Sequence, residues 1–358
     1  MVDKLTSLIK RLSAATGVSG SESGVRTLVQ ELFAPLVDEI SLDTSGNVIA
    51  LKRGAGSSTP RHRVMLSAHM DEIGAMVTGV QEEFLRFTGI GGIDNRVLLG
   101  QEVLVHAKHP LPGIIAIRPP HVVPPEERNR VIPQDQLFID VGLTAEALRE
   151  QVSVGDVISF LCEPVELLGD LVTGKALDNR ASVAAIYACL EHLMGMQHSW
   201  DVYAVATVQE EHGDYLGART CAFRIHPDLA LVVDTTYGDA PRLSQAETVN
   251  VAEGPALSVG PNIHPVLYSR LAEVADALEI PRQIEPLPGN SGTEGWGIQV
   301  SREGIPTGII SLPVRSLHTP VEITSVKDVA RAGRLMAHFV AGLEESFVKQ
   351  LIPDTSAR

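Results

Sequence analysis

The chain has 358 residues, a formal charge of −15, 44% apolar residues and only 4% aromatics. That length suits one large domain with a smaller companion, and the acidity argues against nucleic acid or an anionic membrane as a partner. The three cysteines (Cys162, Cys189 and Cys221) are odd in number, far apart and free of any C-x-x-C, which argues against a disulfide framework or a zinc ribbon.

At the start, Leu5, Leu8, Ile9 and Leu12 alternate with charged residues, predicting an amphipathic helix rather than a signal peptide. A loop at 17–21 leads to Val25, Leu28, Val29, Leu32 and Phe33, one apolar face of a second helix ended by Pro35. Two short strands are expected around Ile40–Asp43 and Val48–Lys52, joined by a Ser-Gly-Asn turn. Val64–Ala68 reads as a buried strand running into His69-Met70-Asp71-Glu72.

From Glu72 to about Glu163 short β-like pieces alternate with Gly and Pro, and Thr144–Gln151 is the one convincing helix. This stretch, 72–163, is expected to be a small β-rich domain inserted into an α/β domain made of 1–71 and 164–358. From Leu168 the α/β rhythm returns. Asp178-Asn179-Arg180 precedes a helix to about Met194, and Val202–Glu211 is an apolar strand ending in two adjacent carboxylates, Glu210 and Glu211. A helix near Tyr215–Phe223 and a strand Leu229–Val233 ending at Asp234 follow. Next come a helix Pro265–Leu278, a helical segment around Gly292–Ser301, and a strand Thr307–Leu312 leading to His318. A long helix from about Ser325 to Lys349 closes the chain. The fold class is therefore α/β, with a mostly parallel sheet sandwiched by helices. No apolar run approaches a membrane span, and a cytoplasmic protein is expected.

His69, Asp178, Glu211, Asp234 and His318 fall just past predicted strands or in the loops after them, where open α/β sheets gather their sites. Imidazole and carboxylate without thiolate suit zinc, cobalt or manganese, not a closed structural zinc site. Two divalent ions are favoured by charge: three carboxylates and one hydroxide would neutralise four positive charges, and a single ion would leave the site anionic. Such pairs lie roughly 3.5–4 Å apart and bring the pKa of water toward about 7. Glu210 is left over as a proton shuttle, and Asp71 is placed to accept the other N–H of His69. Singly, each residue has a bland reading: Asp178, Asp234 and Asp71 as caps or turns, and His318 as a loop histidine.

The joint pattern resembles the tetrahedral aminopeptidase family of clan MH, which includes glutamyl and deblocking aminopeptidases and members labelled endoglucanase. The matching segments are S-A-H-M-D-E-I-G (67–74), K-A-L-D-N-R (175–180), T-V-Q-E-E (207–211), L-V-V-D-T-T (231–236), S-R-E-G-I-P-T-G-I-I-S-L-P (301–313) and L-H-T-P (317–320). The resemblance implies a zinc-peptidase-like catalytic domain and a barrel-like insert used for dimerisation. It implies two metal ions, zinc or cobalt with manganese also suited. His69 and Asp234 would hold one, Glu211 and His318 the other, with Asp178 bridging. Glu210 would be the general base and Asp71 a partner of His69. Substrates would be short peptides, and dimers would assemble into hollow dodecamers. Gly292-Thr293-Glu294 stands where the family has Gly-Thr-Asp, near the substrate pocket of relatives, and bulky Trp296 follows. These three residues are candidate substrate contacts. Alternatives are a related clan MH deacylase, a metal-independent endoglucanase and a non-catalytic peptide-binding assembly protein. Adjacent Glu210 and Glu211 are poorly disposed for the endoglucanase, which needs carboxyls about 5–10 Å apart across a sugar bond.

Overall fold

The computed structural model describes residues 2–117, 119–122, 130–244 and 247–352. The first helix, α1 (Val2–Ala14), buries Leu5, Leu8, Ile9 and Leu12 along one stripe, and α2 (Ser23–Phe33) buries Val25, Val29 and Phe33. Strands β1 (Glu39–Leu42), β2 (Val48–Lys52) and β3 (Arg63–His69) follow.

The chain then leaves the main sheet. Strands β4 (Gly74–Gln81), β5 (Phe84–Ile90), β6 (Glu102–His106), β7 (Pro110–Ala116), β8 (Phe138–Asp140) and β9 (Val157–Phe160) close a barrel in the order β4-β5-β8-β7-β6-β9. The barrel has its own apolar core, around Val77, Leu85, Val105, Ile139 and Ile158, and α3 (Ala145–Gln151) plugs Leu148 into it.

Back in the main sheet come β10 (Val165–Leu167), β11 (Leu171–Gly174), α4 (Leu177–Leu193), β12 (Asp201–Thr207), α5 (Leu216–Ile225) and β13 (Leu229–Tyr237). They are followed by β14 (Ala256–Val259), α6 (Pro265–Ala277), β15 (Gln283–Pro286), α7 (Gly295–Ile298), β16 (Thr307–Arg315), β17 (Glu322–Ser325) and α8 (Val326–Ala341). Among the described residues, eleven strands form this sheet, nine of them in the order β1-β2-β12-β3-β13-β16-β17-β11-β10. The centre, β12-β3-β13-β16, is parallel, and antiparallel strands extend it at both ends, so the sheet is mixed.

Strand alternation explains the two layers of helices. Val64, Leu66 and Ala68 of β3 join Ala204 and Ala206 of β12 in the core under α1, α4 and α8. Met65, Val205, Ala230 and Val232 face the other way, toward Ala218, Cys221 and Ile298 of α5 and α7. Both faces are buried, which is why these strands are continuously apolar.

Several predicted elements differ in extent. The last helix stops at Ala341, before Gly342, and Glu345–Leu351 is a 3₁₀ segment that buries Phe347 and Leu351. Only Gly295–Ile298 of the 292–301 stretch is helical. Asp234 lies inside β13, which runs on to Tyr237 because β16 pairs with it that far. The short strands β8, β10, β11, β14, β15 and β17 went unpredicted; each has three or four residues, too few for a periodic signal. Among the described residues no helix is long and apolar enough to cross a membrane.

Candidate metal centre and cleft

The parallel strands deliver the site at one edge. His69 is the last residue of β3 and is in register with Thr207, the last of β12. Asp234 lies on the next parallel neighbour, β13. The remaining groups come from backbone that L side chains rarely adopt: Ala176, Gln209 and His318 all have left-handed φ, +54°, +59° and +59°. These turns sit two residues before Asp178, immediately before Glu210-Glu211, and at His318 itself. Strained backbone of this kind collects where a site dictates the geometry.

The five candidate ligands converge. The Nε2 of His69 lies 3.3 Å from Asp178 Oδ1 and 3.8 Å from Asp234 Oδ1. The Nε2 of His318 lies 3.4 Å from Asp178 Oδ2 and 3.5 Å from Glu211 Oε2. Each oxygen of Asp178 thus faces a different histidine. Glu210 Oε2 stands 3.8 Å from His69 Nε2, on the first side. Two groups within ligand reach of each other emerge: His69, Asp178 and Glu211, and His69, Glu210 and Asp234.

Burial makes this costly without cations. His69 Nδ1, Asp178 Oδ1, Glu211 Oε1 and Asp234 Oδ2 are buried with no hydrogen-bond partner. Desolvation, then the Asp178 charge, pushes the carboxyl of Glu211 well above its ordinary range. Asp234 is raised well above its ordinary value mainly by desolvation. Desolvation pushes Glu210 up to about 8, against the pull of His69. Desolvation opposes charge on His69 as well, but Glu210, Asp178 and Asp71 outweigh it and raise its pKa well above the usual value. Asp178 is lowered: desolvation opposes this, and the close imidazoles of His318 and His69 prevail. Divalent cations would satisfy these orphaned oxygens, and the oxygen–imidazole donor set fits zinc, cobalt or manganese.

Surrounding groups fix the ligands. Asp71 Oδ1 is 3.4 Å from His69 Nδ1, off hydrogen-bond alignment. Its carboxylate accepts the backbone N–H of Glu210 and of Glu211, both at 3.1 Å. Asp71 therefore holds the two-glutamate turn as well as facing the histidine. Glu322, which the sequence reading missed, accepts the N–H of Asp178 and of His318, both at 2.9 Å. It is fully buried, and desolvation pushes it up to about 8. The imidazole Nδ1 of His318 meets the carbonyl of Gly92, in the loop after β5, at 3.1 Å, which leaves Nε2 for the cluster. The sequence signal for Glu322 was weak: one acidic residue in a four-residue strand that itself went unpredicted.

The cluster opens into a cleft of about 840 Å³, of the size that takes small ligands. Gly292 and Thr293 line it. Glu294 does not. It is fully buried, accepting from Ser67 Oγ at 2.8 Å and from Thr207 Oγ1, so the expected direct substrate contact is corrected to a group beneath the floor. The reason is local: α7 begins at Gly295 and turns position 294 toward β3 and β12. Trp296 stays partly exposed on the outside.

Comparison with known proteins makes the chain a peptidase, a hydrolase of peptide bonds. It belongs to the M42 glutamyl aminopeptidase family, whose model matches residues 46–335. It is 37% identical over 340 residues to a putative aminopeptidase of Acetivibrio thermocellus, covering 93% of this chain and 97% of that one. It is 34% identical over 329 residues to a lysyl aminopeptidase of Pyrococcus furiosus, covering 90% and 92%. Its structure is similar to that of a TET aminopeptidase from the marine sediment archaeon Thaumarchaeota archaeon SCGC AB-539-E09. The TM-score is 0.92 at 33% identity, over 98% of this chain and 99% of the other.

Proposed function

We propose that the chain is a dinuclear, metal-dependent aminopeptidase that releases the N-terminal residue of short peptides. The observation that carries this reading is Asp178, whose two oxygens face His69 and His318 on opposite sides. His69 and Asp234 would hold one divalent ion, Glu211 and His318 the other, with Asp178 shared. Ions bound there would supply Lewis acidity, lowering the pKa of water and polarising the scissile carbonyl.

The chain's own residues do the rest. Glu210, a carboxylate beside the cluster and not needed as a ligand, takes the proton from the attacking water and passes it to the leaving amine nitrogen. Its position supports this, because its Oε2 stands 3.8 Å from His69 Nε2, next to where the water would be held. Asp71 holds Glu210 and Glu211 in place through their backbone amides. Gly292 and Thr293 form wall against which the substrate lies.

Residues 1–71 and 164–358 act in this reading as the catalytic unit, and 72–163 as an insert for subunit pairing. Exposed apolar side chains support homo-oligomer formation: Val154 and Leu161 near the barrel and Val165, Leu167 and Leu168 at the β10–β11 hairpin. Pairing into dimers and then a tetrahedral dodecamer is the assembly the family resemblance favours.

A panel of aminoacyl-anilides tests the chemistry, assayed after chelator dialysis and after return of zinc, cobalt or manganese, with metal analysis of the same sample. Loss on chelation and recovery with about two ions per subunit are expected. Activity surviving complete metal removal would sink the mechanism. Turnover of acyl-amino acids in place of aminoacyl substrates would point to a deacylase.

A further inference from the structure

Beyond the ligand cluster, the described lining of the cleft contains no lysine or arginine. It does contain two further carboxylates, Glu247 at the mouth and Glu285 on β15. Glu285 is built in. Its Oε2 accepts from Ser258 Oγ at 2.7 Å and from Ser311 Oγ at 2.5 Å, and its Oε1 accepts from Thr236 Oγ1. Three hydroxyls from three strands therefore fix this carboxylate against the wall, and no ion pair with a described residue answers its charge. Of its roughly four acceptor positions, three are filled, so one remains for a donor from the cleft.

Its position relative to the cluster follows from the sheet. Thr236 is two residues beyond Asp234 on β13, on the same face, and Ser311 is the register partner of Asp234 on β16. Two residues of strand span about 7 Å. Glu285 is therefore anchored about one long side chain away from the ligand Asp234. Val249, Ile284, Leu287 and Tyr237 line the same cleft and offer apolar surface to a hydrocarbon stem.

We propose that this cleft selects peptides whose N-terminal side chain is a cation, lysine or arginine, and that Glu285 is the specificity-determining residue. The inference rests on the aminopeptidase reading above. With the scissile carbonyl at the cluster, the first residue's side chain extends along β13 and β16 toward Glu285. An ammonium or guanidinium there makes a charge-assisted hydrogen bond to the open position. A leucine leaves the carboxylate desolvated and unanswered. A glutamate, the side chain in the family's descriptive name, meets a like charge, so rejection of it is built into the same wall.

The experiment compares Lys-, Arg-, Leu- and Glu-p-nitroanilide on the metal-loaded protein and on its Glu285→Gln variant. For the unaltered protein, kcat/KM for Lys and Arg should exceed that for Leu by at least about tenfold, and that for Glu by about a hundredfold or more. Glu285→Gln should lower the Lys-to-Leu ratio about tenfold or more, mainly through KM for Lys. Should that variant fail to fold, competitive inhibition of the unaltered protein by L-lysinamide against L-leucinamide gives the same comparison, with lysinamide expected to bind tighter. A best substrate of Leu or Glu, equal inhibition by the two amides, or an unchanged ratio in the variant overturns the inference and leaves the aminopeptidase reading standing. No cleavage of any of the four would instead remove the aminopeptidase reading, and this inference with it.

Discussion

Glu322 accepts the backbone N–H of Asp178 through one oxygen while its other oxygen takes the N–H of His318. The residue proposed to span two ions and a ligand of the second ion thus hang from one buried carboxylate. Replacing Glu322 with Ala orphans both amides and frees both backbones. Elemental analysis should then find about one ion per subunit instead of two, and affinity for the second ion should fall roughly 10–100-fold. Glu322→Gln keeps the shape and one acceptor, so it should retain more metal than the Ala variant. Two tightly held ions in Glu322→Ala would show that this carboxylate does not position the site.

Glu210→Gln removes the proposed proton carrier while leaving the five proposed ligands. The variant should bind both ions and keep its fold, with kcat lower by roughly 10²–10⁴ and KM much less affected. Steady-state kinetics beside metal analysis decide it. Turnover near that of the unaltered protein would assign the base elsewhere.

Gly92 has no room for a side chain. A Cβ there would sit 2.9 Å from His318 Nδ1, and the part free to give way is the imidazole itself. Gly92→Ala should displace that ring and weaken the second ion about tenfold or more. Its thermal midpoint without metal should stay close to that of the unaltered chain. Calorimetric titration with zinc and a melting curve separate the two effects; unaltered zinc binding would argue that the carbonyl contact is incidental.

Behind the site, Lys175 Nζ lies 2.6 Å from Glu72 Oε2, with both side chains almost fully buried. Glu72 also accepts the N–H of Gly17 at 2.8 Å. Desolvation lowers the pKa of Lys175, with Glu72 opposing it. The fully buried Arg180 also faces Glu72, its Nη2 3.8 Å from Oε1, so Lys175→Met removes the nearer of two cations and should cost up to about 3–5 kcal/mol. Adding Glu72→Gln keeps an acceptor for Gly17 but takes the facing carboxylate from buried Arg180, so the double variant should be no more stable than Lys175→Met alone. Urea unfolding of both variants checks this order.

Much of this site could be read from residue types alone. His69, Glu211 and Asp234 each stand at or beside a long apolar strand, and buried parallel strands advertise themselves by unbroken runs such as Val202–Thr207. Asp178 and His318 were legible through the short motifs around them. What escaped were groups that act through the backbone. The work of Glu322 is done on two amides, and that of Gly92 by a carbonyl, and neither leaves a spacing in the sequence. Glu294 was misplaced for a related reason: a four-residue helix decides whether position 294 faces the cleft or the sheet, and so short a helix has no period. The ends of β13, β16 and α8 were misjudged because pairing partners and Gly342, rather than local preference, set them.

The contact between Gly92 and His318 has one further consequence. The loop after β5 belongs to the barrel, yet its carbonyl orients an imidazole carried by the other part of the molecule. The barrel is thus no detachable spacer: a chimera that exchanged it wholesale would also exchange the grip on His318. Whatever grasps the barrel from outside, and tilts it, tugs on a ring that faces Asp178 and Glu211.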